Sequence, residues 1–342
     1  MAHGLTQEFS RILVARGGAI GDFILTLPVF QALRLRYPSC FIEVLGYPHI
    51  ASLATLDRHV DRISRIESLA FTPLFTPAVE ISQLTRDYFS SFDLIISYIH
   101  DSDGYFQKRV SEISSAKFLT GPGRPNQTST SHATEVLLRP LQEIGLFTTD
   151  HEPRLLRNPA LQDASVAQTS ELDAALPSGL VARSAPAAKW MIACHPGSSH
   201  SAKNWPIEKW SELLSWLIEE SPARLVVLGG EADGARIEKL KKVLPPACYE
   251  LWENLALTDL AHQLRQCRGF VGHDSGISHL AAALGIPTTV LWGATNSDVW
   301  RPMGSHVRLV FAEEGLENLT VEAVSAEVGH LFDDFDPHRA VI

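Results

Sequence analysis

The sequence predicts an α/β protein with two domains, each built on a parallel sheet that helices cover on both faces. Three observations support this. The chain has 342 residues, more than one ordinary core holds. Short apolar strands alternate with helical patterns in two separate runs, which is typical of parallel sheets. Between the runs, residues 158–189 are rich in Ala, Ser and Pro and show no strand pattern, so we interpret them as the interdomain connection.

The first run opens with RILVAR at 11–16, a short apolar strand followed by glycine. Apolar residues at helical spacing predict a helix over 25–38, which stops at Pro38. Three further strands, with helical segments between them, are predicted at 40–48, 92–98 and 116–121.

The second run repeats the alternation. Strands are predicted at 190–197, 223–230, 269–276 and 287–293. Helices are predicted at 207–220, from about 231, and at 257–267, 277–285 and 319–332. In such sheets ligands bind beyond the carboxyl ends of the strands, so residues just after strands are the functional candidates.

The composition excludes several classes of protein. A net charge of −10 argues against non-specific nucleic-acid binding, which needs a basic face. No apolar run approaches the ~20 residues of a membrane span, and the first residues show no secretory signal pattern. The four cysteines lie far apart, which favours free thiols in a reducing cytoplasm over disulfides or a zinc site.

The turn RGGAIGD at 16–22 follows the first strand. As a dinucleotide fingerprint it supplies Gly18 and Gly21, but Arg16 replaces the first glycine, which the tight turn requires. No Walker lysine follows. Asp22 is then either a carboxylate that favours the helix start or a general base held at the floor of a cleft, and the spacing leaves both interpretations open.

The loop HPGSSHSAKNWP at 195–206 follows a strand of the second run. Its Gly197, Ser198 and Ser199 offer backbone N–H groups and hydroxyls, and Lys203 adds a mobile positive charge. Together these groups suit a diphosphate. The alternative interpretation is a polar surface loop.

Two more strand ends carry polar residues. Glu231 is an acid in the position that often binds ribose hydroxyls, or a first-turn residue of a helix. In GHDSG, the residues Asp274, Ser275 and Gly276 precede a helix and form either an anion site or an N-cap, with His279 one turn further on. Hydrolase and zinc-protease motifs of the G-x-S-x-G and H-E-x-x-H types are absent from the sequence.

Three segments together resemble a known family: RILVARGGAIGDFILTLPVFQALRLRYP, HPGSSHSAKNWPIEKW and GHDSGISHLAAALGIPTTVLWG. The chain resembles the ADP-heptose:lipopolysaccharide heptosyltransferases, glycosyltransferase family 9, from about Arg11 to Pro302. The resemblance implies a GT-B fold, in which two Rossmann-like parallel-sheet domains face a central cleft. It implies an acceptor domain at 1–160, a linker at 161–187, a nucleotide-sugar domain at 188–315, and a C-terminal helix at 316–342 that packs back toward the first domain.

The resemblance also implies roles for the candidate residues. Asp22 corresponds to the catalytic aspartate of the family, which is inverting and needs no bound metal. The residues that correspond to the donor site, where diphosphate, ribose and sugar bind, are Ser198, Ser199, Lys203, Glu231, Asp274, Ser275, Gly276 and His279. The expected donor is an ADP-sugar, ADP-heptose first among them. The expected acceptor is a glycan or glycolipid of the lipopolysaccharide core type, at the inner face of a bacterial cytoplasmic membrane, which the enzyme would contact peripherally.

One departure from the family keeps alternatives open. The family has small hydroxyl residues in a (T/S)-S-x-G-D turn, whereas Gly17 and Gly18 precede the catalytic pair here. A relative that uses another nucleotide sugar or acceptor is therefore an alternative. A non-catalytic nucleotide-sugar binding module and an NAD(P)-dependent oxidoreductase, with Glu43 as its ribose-binding acid, are the other two. The arginine-rich stretch at 58–65 is interpreted as a solvated surface.

Overall fold

The structure, a computed structural model, describes residues 8–77, 79–155, 190–198, 200–221, 223–312 and 314–333. It contains two wholly parallel sheets, one of five strands in the order β3-β2-β1-β4-β5 and one of six in the order β11-β10-β9-β6-β7-β8. The predicted fold class is thus confirmed. The predicted linker at 161–187 lies outside the described residues.

The first domain has five strands and six α-helices among the described residues. The strands are β1 Arg11–Arg16, β2 Phe41–Gly46, β3 Arg62–Arg65, β4 Leu94–Ser97 and β5 Lys117–Thr120. The helices are α1 Ile20–Ile24, α2 Leu27–Arg36, α3 Pro48–Ala51, α4 Gln83–Ser90, α5 Tyr105–Ser111 and α6 Ala133–Leu138. The helix that the sequence predicts over 25–38 is α2, and its Pro28 lies in the first turn, where proline is tolerated. The short helix α1, which ends at Ile24, is not predicted.

The second domain has six strands and, in the described residues, six α-helices. The strands are β6 Met191–His195, β7 Arg224–Gly229, β8 Tyr249–Glu253, β9 Cys267–His273, β10 Thr288–Trp292 and β11 Val307–Phe311. The helices are α7 Ile207–Glu220, α8 Gly234–Val243, α9 Leu257–Leu264, α10 Gly276–Ala283, α11 Ser297–Trp300 and α12 Val321–Asp333.

The two domains share a continuous apolar core. Val14 of β1, Leu155 and Ala281 of α10 belong to one cluster of buried side chains. The chain reaches the second domain by Leu155, whose N–H donates to the carbonyl of Ala283 over 2.7 Å, before the predicted boundary at residue 160.

The C-terminal helix α12 packs against α7 and against strands β9, β10 and β11 of the second sheet. Its Val324 and Val328 are buried in the apolar cluster of that domain. The elements that it contacts most closely thus belong to the second domain, whereas the resemblance implies a helix that packs toward the first. Residues 334–342 lie outside the described part of the chain.

The strand order of each sheet reverses at one point, between β1 and β4 in the first sheet and between β6 and β9 in the second. Ligands of doubly wound sheets bind at such switch points, beyond the carboxyl ends of the strands. Helix α1, which follows β1, packs directly against α10, which follows β9. The two switch points therefore face each other across the cleft between the domains.

Candidate functional site

The cleft between the domains has a volume of about 550 Å³. The first domain contributes Gly21 and His49 to its lining, and the second contributes Ser198, Glu231 and Ser275. A volume in the range of small-molecule sites, walled by both domains, makes this cleft the candidate functional site.

Asp22 lies in the first turn of α1, at the carboxyl end of β1. Its Oδ2 accepts a hydrogen bond from the backbone N–H of Ala19 (3.1 Å), so the carboxylate reaches back to the helix start, as a capping-box acid does. Its Oδ1 lies 3.9 Å from a guanidinium nitrogen of Arg16, and 24% of the side chain is exposed. The carboxylate is therefore both anchored and accessible to a substrate.

Arg16 fixes the backbone around this carboxylate. The buried guanidinium donates to the carbonyl of Asp22 (2.9 Å) and to that of Gly123 (2.6 Å). Burial lowers the pKa of Arg16, and the charge of Asp22 partly offsets that effect. Thr26 Oγ1 also donates to the Asp22 carbonyl, over 2.8 Å. Asp22 is thus held by hydrogen bonds from Arg16, Ala19 and Thr26, contacts that the sequence alone does not predict.

The glycines of this turn give Asp22 room. Gly18 has φ +98°, in the region that favours glycine, and a Cβ there would lie 3.1 Å from the Asp22 Oδ2. Counted back from Asp22, the two hydroxyl positions of the (T/S)-S-x-G-D turn fall on Gly18 and Ala19, one residue later than the Gly17 and Gly18 pairing. Gly17 has no positive φ, and a Cβ there would contact only the Tyr47 ring among the described residues.

Two helix N-termini meet at the cleft. A Cβ on Gly276 would lie 2.9 Å from the backbone nitrogen of Gly21 and 2.7 Å from the Cβ of Ile20, so only glycine allows this approach. Ser275, the N-cap of α10, has no side-chain capping bond, and its Oγ lies 3.4 Å from that of Ser278. The N-terminus of α10 thus presents its dipole and a hydroxyl directly beside the turn that carries Asp22.

Lys203 and Asp274 form an ion pair. The ammonium Nζ lies 2.5 Å from the Asp274 Oδ2, with 34% of the lysine side chain and 9% of the aspartate side chain exposed. The pair joins the loop after β6 to the end of β9, since these strands are neighbours in the sheet. The two residues, 71 positions apart in the sequence, are therefore at the same place in the site.

His279 is buried between the charged groups of both domains. Burial lowers its pKa to about 4; Asp274 and Asp22 oppose this shift, while His132 and Lys203 add to it. The imidazole is consequently neutral at neutral pH. The pKa of His279 thus responds to charged groups from both domains.

The described residues of the loop 195–206 are held by the buried His273 and the half-buried Arg236. His273 Nε2 accepts from the backbone N–H of Trp205 (2.9 Å) and from the indole N–H of Trp210 (3.1 Å), and burial lowers the pKa of this histidine to about 3. Arg236 donates to the carbonyls of Pro196 (2.8 Å) and Trp205 (2.6 Å). The loop is therefore preorganised.

Within that loop, Ser198 lines the cleft while its hydroxyl donates to the carbonyl of His200 over 2.9 Å. Its backbone and side chain thus stand at the predicted diphosphate position. Ser199 lies outside the described residues, so its predicted role stays a prediction.

A buried pair that the sequence did not indicate, His195 and Asp233, lines the second-domain side of the cleft. His195 Nε2 lies 3.2 Å from the Asp233 Oδ2, which also accepts from the N–H of Gly230 (2.8 Å). Burial raises the pKa of Asp233, but the hydrogen bond and charge of His195 outweigh that effect and lower it overall. A Cβ on Gly197 would overlap the Asp233 carboxylate, so this glycine is required. The pair was missed because its members are 38 positions apart.

The wall of the cleft beyond Glu231 is apolar. Glu231 is exposed and lies in a single 3₁₀ turn after β7, at the predicted ribose position. The apolar wall beside it is formed by Leu228, Trp252, Leu255, Leu257, Leu260 and Ile277. Such a wall suits the flat face of a nucleobase. Trp252 lies in β8, a strand that the sequence analysis does not predict.

The structure also bears on the oxidoreductase alternative. Glu43, its proposed ribose-binding acid, is fully buried inside the first domain. Its Oε1 accepts from Ser64 Oγ (2.5 Å) and from the Tyr88 hydroxyl (2.7 Å). This carboxylate faces the core and cannot meet a ribose in the cleft, so that alternative loses its key residue.

The described residues contain no group of three or more His, Cys, Asp or Glu side chains placed to hold a metal ion. None of the described helices is long and apolar enough to cross a bilayer. The four cysteines are free thiols, as the sequence predicts.

Comparison with known proteins gives one family. The model of glycosyltransferase family 9 (heptosyltransferase) matches residues 153–326. Lipooligosaccharide heptosyltransferase 2 of Haemophilus influenzae is 22% identical over 315 residues, which cover 89% of each chain. Lipopolysaccharide heptosyltransferase 1 of Pseudomonas aeruginosa is 33% identical over 111 residues, 32% of this chain and 30% of that protein.

Solved structures agree on the fold. The ADP-heptose lps heptosyltransferase II of E. coli superposes with a TM-score of 0.71 at 17% identity, over 94% of this chain and 98% of that one. The glycosyl transferase family 9 protein of Veillonella parvula superposes with a TM-score of 0.74 at 17% identity, over 98% and 100% of the two chains. With the family model matching half of the sequence, the chain belongs to glycosyltransferase family 9 and is a heptosyltransferase-like glycosyltransferase of GT-B fold.

Proposed function

We propose that this protein transfers a sugar, heptose first among the candidates, from an ADP-sugar to a glycan of the lipopolysaccharide core type, with inversion at the anomeric carbon. The observation that carries the proposal is the contact of Gly21 with Gly276. It brings the Asp22 turn of the acceptor domain against the anion-binding helix start of the donor domain.

Asp22 is the proposed general base. Its carboxylate takes the proton of an acceptor hydroxyl as that oxygen attacks the anomeric carbon, and ADP leaves on the opposite face. The N–H of Ala19 and the Arg16 guanidinium keep the carboxylate oriented. A positioned base typically contributes about 10²–10⁴-fold to the rate.

We propose that the second domain stabilises the negative charge that develops on the leaving diphosphate. Ser198 and Ser275 line the same cleft, and Asp274 holds Lys203 next to Ser275, so these side chains and the N–H groups at Ser275 and Gly276 would supply donors to the diphosphate. In the ligand-free protein Asp274 neutralises Lys203. A bound diphosphate would compete with this carboxylate for the ammonium group, so Asp274 holds the lysine ready at the site.

This scheme uses side-chain and helix-dipole charge, and no step is assigned to a metal ion. We therefore expect transfer to persist in excess EDTA. If the acceptor is lipid-anchored, the protein would meet it peripherally at the inner face of the cytoplasmic membrane.

The direct test is a transfer assay with ADP-heptose and a deacylated lipopolysaccharide core oligosaccharide, followed by mass spectrometry of the product. Calorimetry with ADP, UDP and GDP separately tests the preference for the nucleobase of the donor. We expect ADP to bind at least tenfold tighter than UDP or GDP. Tight ADP binding without heptose transfer would refute this donor sugar or acceptor while leaving the donor site assigned.

A second candidate is a family 9 transferase for another sugar. Gly18 and Ala19 favour it, because they supply no hydroxyl at the two positions where the family has one. Transfer from ADP-glucose or UDP-sugars, measured in the same assay, would distinguish it.

A further inference from the structure

The acceptor-facing side of the Asp22 turn has an open backbone floor. Gly17 is half-buried, and Gly18 and Ala19 are exposed. Among the described residues, the only atom within 4 Å of a Cβ built on Gly17 is Cε2 of Tyr47, at 3.8 Å. Gly17 and Gly18, which lie between Tyr47 and Asp22, therefore place no side chain over this part of the turn.

An aromatic ring, that of Tyr47, borders this floor at Gly17. Tyr47 follows β2, the strand next to β1, so its backbone lies beside the turn. The atom that approaches Gly17 is next to the phenol carbon, so the hydroxyl end of the ring is turned toward the floor. Tyr47 is half-buried, and its centroid lies 6.1 Å from that of His49, an exposed residue that lines the cleft.

These boundaries match one class of ligand. A pyranose ring has an apolar C–H face, which packs on an aromatic ring, and a rim of hydroxyls, which hydrogen-bond to a carboxylate. A strip of backbone joins the two groups, with the Tyr47 ring beside Gly17 and the Asp22 carboxylate beside Gly18, and Ala19 continues the strip into the cleft.

We propose that Tyr47 and the bare glycines Gly17 and Gly18 form a subsite for the sugar ring of the acceptor, which packs on the Tyr47 ring and directs one hydroxyl at Asp22. The inference rests on the proposed transferase function and deepens it. In this proposal the acceptor is selected by the space that Gly17 and Gly18 leave at the turn.

Kinetics provide the first test, with ADP-heptose and the deacylated core oligosaccharide as substrates. Tyr47→Ala removes the platform, and Gly17→Val fills the floor without a positive φ to strain it. Each should raise the acceptor KM about tenfold, the effect of losing an aromatic anchor, while ADP affinity stays within about twofold. Tyr47→Phe keeps the ring and should give an acceptor KM nearer to wild type than to Tyr47→Ala.

Two controls are matched to these variants. Phe147→Ala removes an aromatic ring that is 74% exposed in the same domain. Gly329→Ala adds a Cβ where no atom lies within 4 Å. Neither should change the acceptor KM. If Tyr47→Ala and Gly17→Val behave like these controls in an active enzyme, the subsite is refuted and the transferase function stands.

A binding experiment keeps the inference testable if no transfer is detected. The ADP-bound protein, labelled with ¹³C-tyrosine, is titrated with methyl glycosides of heptose, glucose and 3-deoxy-octulosonic acid. The chain has six tyrosines, and Tyr47→Phe identifies the Tyr47 signal. We expect at least one saccharide to shift that signal, and Gly17→Val to abolish the shift. If no saccharide shifts it while ADP binds normally, the subsite is refuted independently of the transfer assay.

Discussion

Gly21 of the first domain and Gly276 of the second domain are in contact, with the Gly21 backbone nitrogen 2.9 Å from the position of a Gly276 Cβ. Gly21 lies in the first turn of α1 beside Asp22, and Gly276 is the first residue of α10, directly after its N-cap Ser275. A single methyl group at position 276 would therefore push the two halves of the site apart.

We expect Gly276→Ala to reduce turnover by at least tenfold, since the base and the leaving group must be aligned to well within 1 Å. The radius of gyration from small-angle scattering should rise slightly with ADP bound, because the domains cannot close fully. Gly329→Ala, on an open face of α12, is the control. Full activity of Gly276→Ala would contradict the importance of this contact.

Asp22→Asn tests the base. The amide oxygen can still accept from the Ala19 N–H, so the turn should keep its shape. We expect a fall in kcat of at least about 10²-fold with nearly normal ADP affinity by calorimetry. Glu322→Gln, a neutralised first-turn carboxylate of α12, should have no effect. Normal turnover of Asp22→Asn would exclude the assignment.

Lys203→Ala tests the diphosphate site. Losing a charge-assisted hydrogen bond, worth about 1.5–3 kcal/mol, should raise the Kd for ADP by about tenfold or more. The variant should also show a weaker dependence of Kd on salt, since one cation is gone. Lys239, which is 65% exposed and distant from the cleft, provides Lys239→Ala as the control. An unchanged Kd for ADP would count against the phosphate role.

The buried His279 makes stability depend on pH. Its folded pKa is about 4, below the ordinary 6.5, so between these values the unfolded state binds more protons than the folded one. Stability is then fully present above pH 6.5 and decreases as pH falls toward 4, by on the order of 3 kcal/mol for this group alone. His273 adds to the loss in the same direction.

Urea unfolding at pH 7 and pH 4.5 measures this effect. His279→Gln should reduce the difference in unfolding free energy between the two pH values, because glutamine does not titrate. An equally large difference in that variant would assign the pH dependence to other groups.

The sequence predicted much of the fold because most strands are short apolar runs. The ranges 11–16 and 207–220 coincide with β1 and α7. Three strands are not predicted from the sequence: β3, β8 and β11. The first two lack that signal. β3 is an edge strand with exposed Arg62 and Arg65, which explains why 58–65 was interpreted as a solvated surface. In β8, four residues are half-buried and one is exposed, so no apolar run marks it.

The candidate site was predictable where chemistry follows a strand end in the sequence, as at Asp22, Glu231 and Asp274. The partnerships were not predictable. His195 meets Asp233, and Lys203 meets Asp274, only because β6 lies beside both β7 and β9 in the sheet. Such contacts depend on strand order, which residue spacing does not encode.

The contacts of Leu155 show where the two domains can be separated. Its N–H donates to the carbonyl of Ala283, and its carbonyl accepts from Arg265, so this residue already packs with the second domain. The family model begins just before it, at residue 153. Chimeras that exchange the first domain between relatives should therefore be joined ahead of residue 153, which keeps the contacts of Leu155 with Ala283 and Arg265 native.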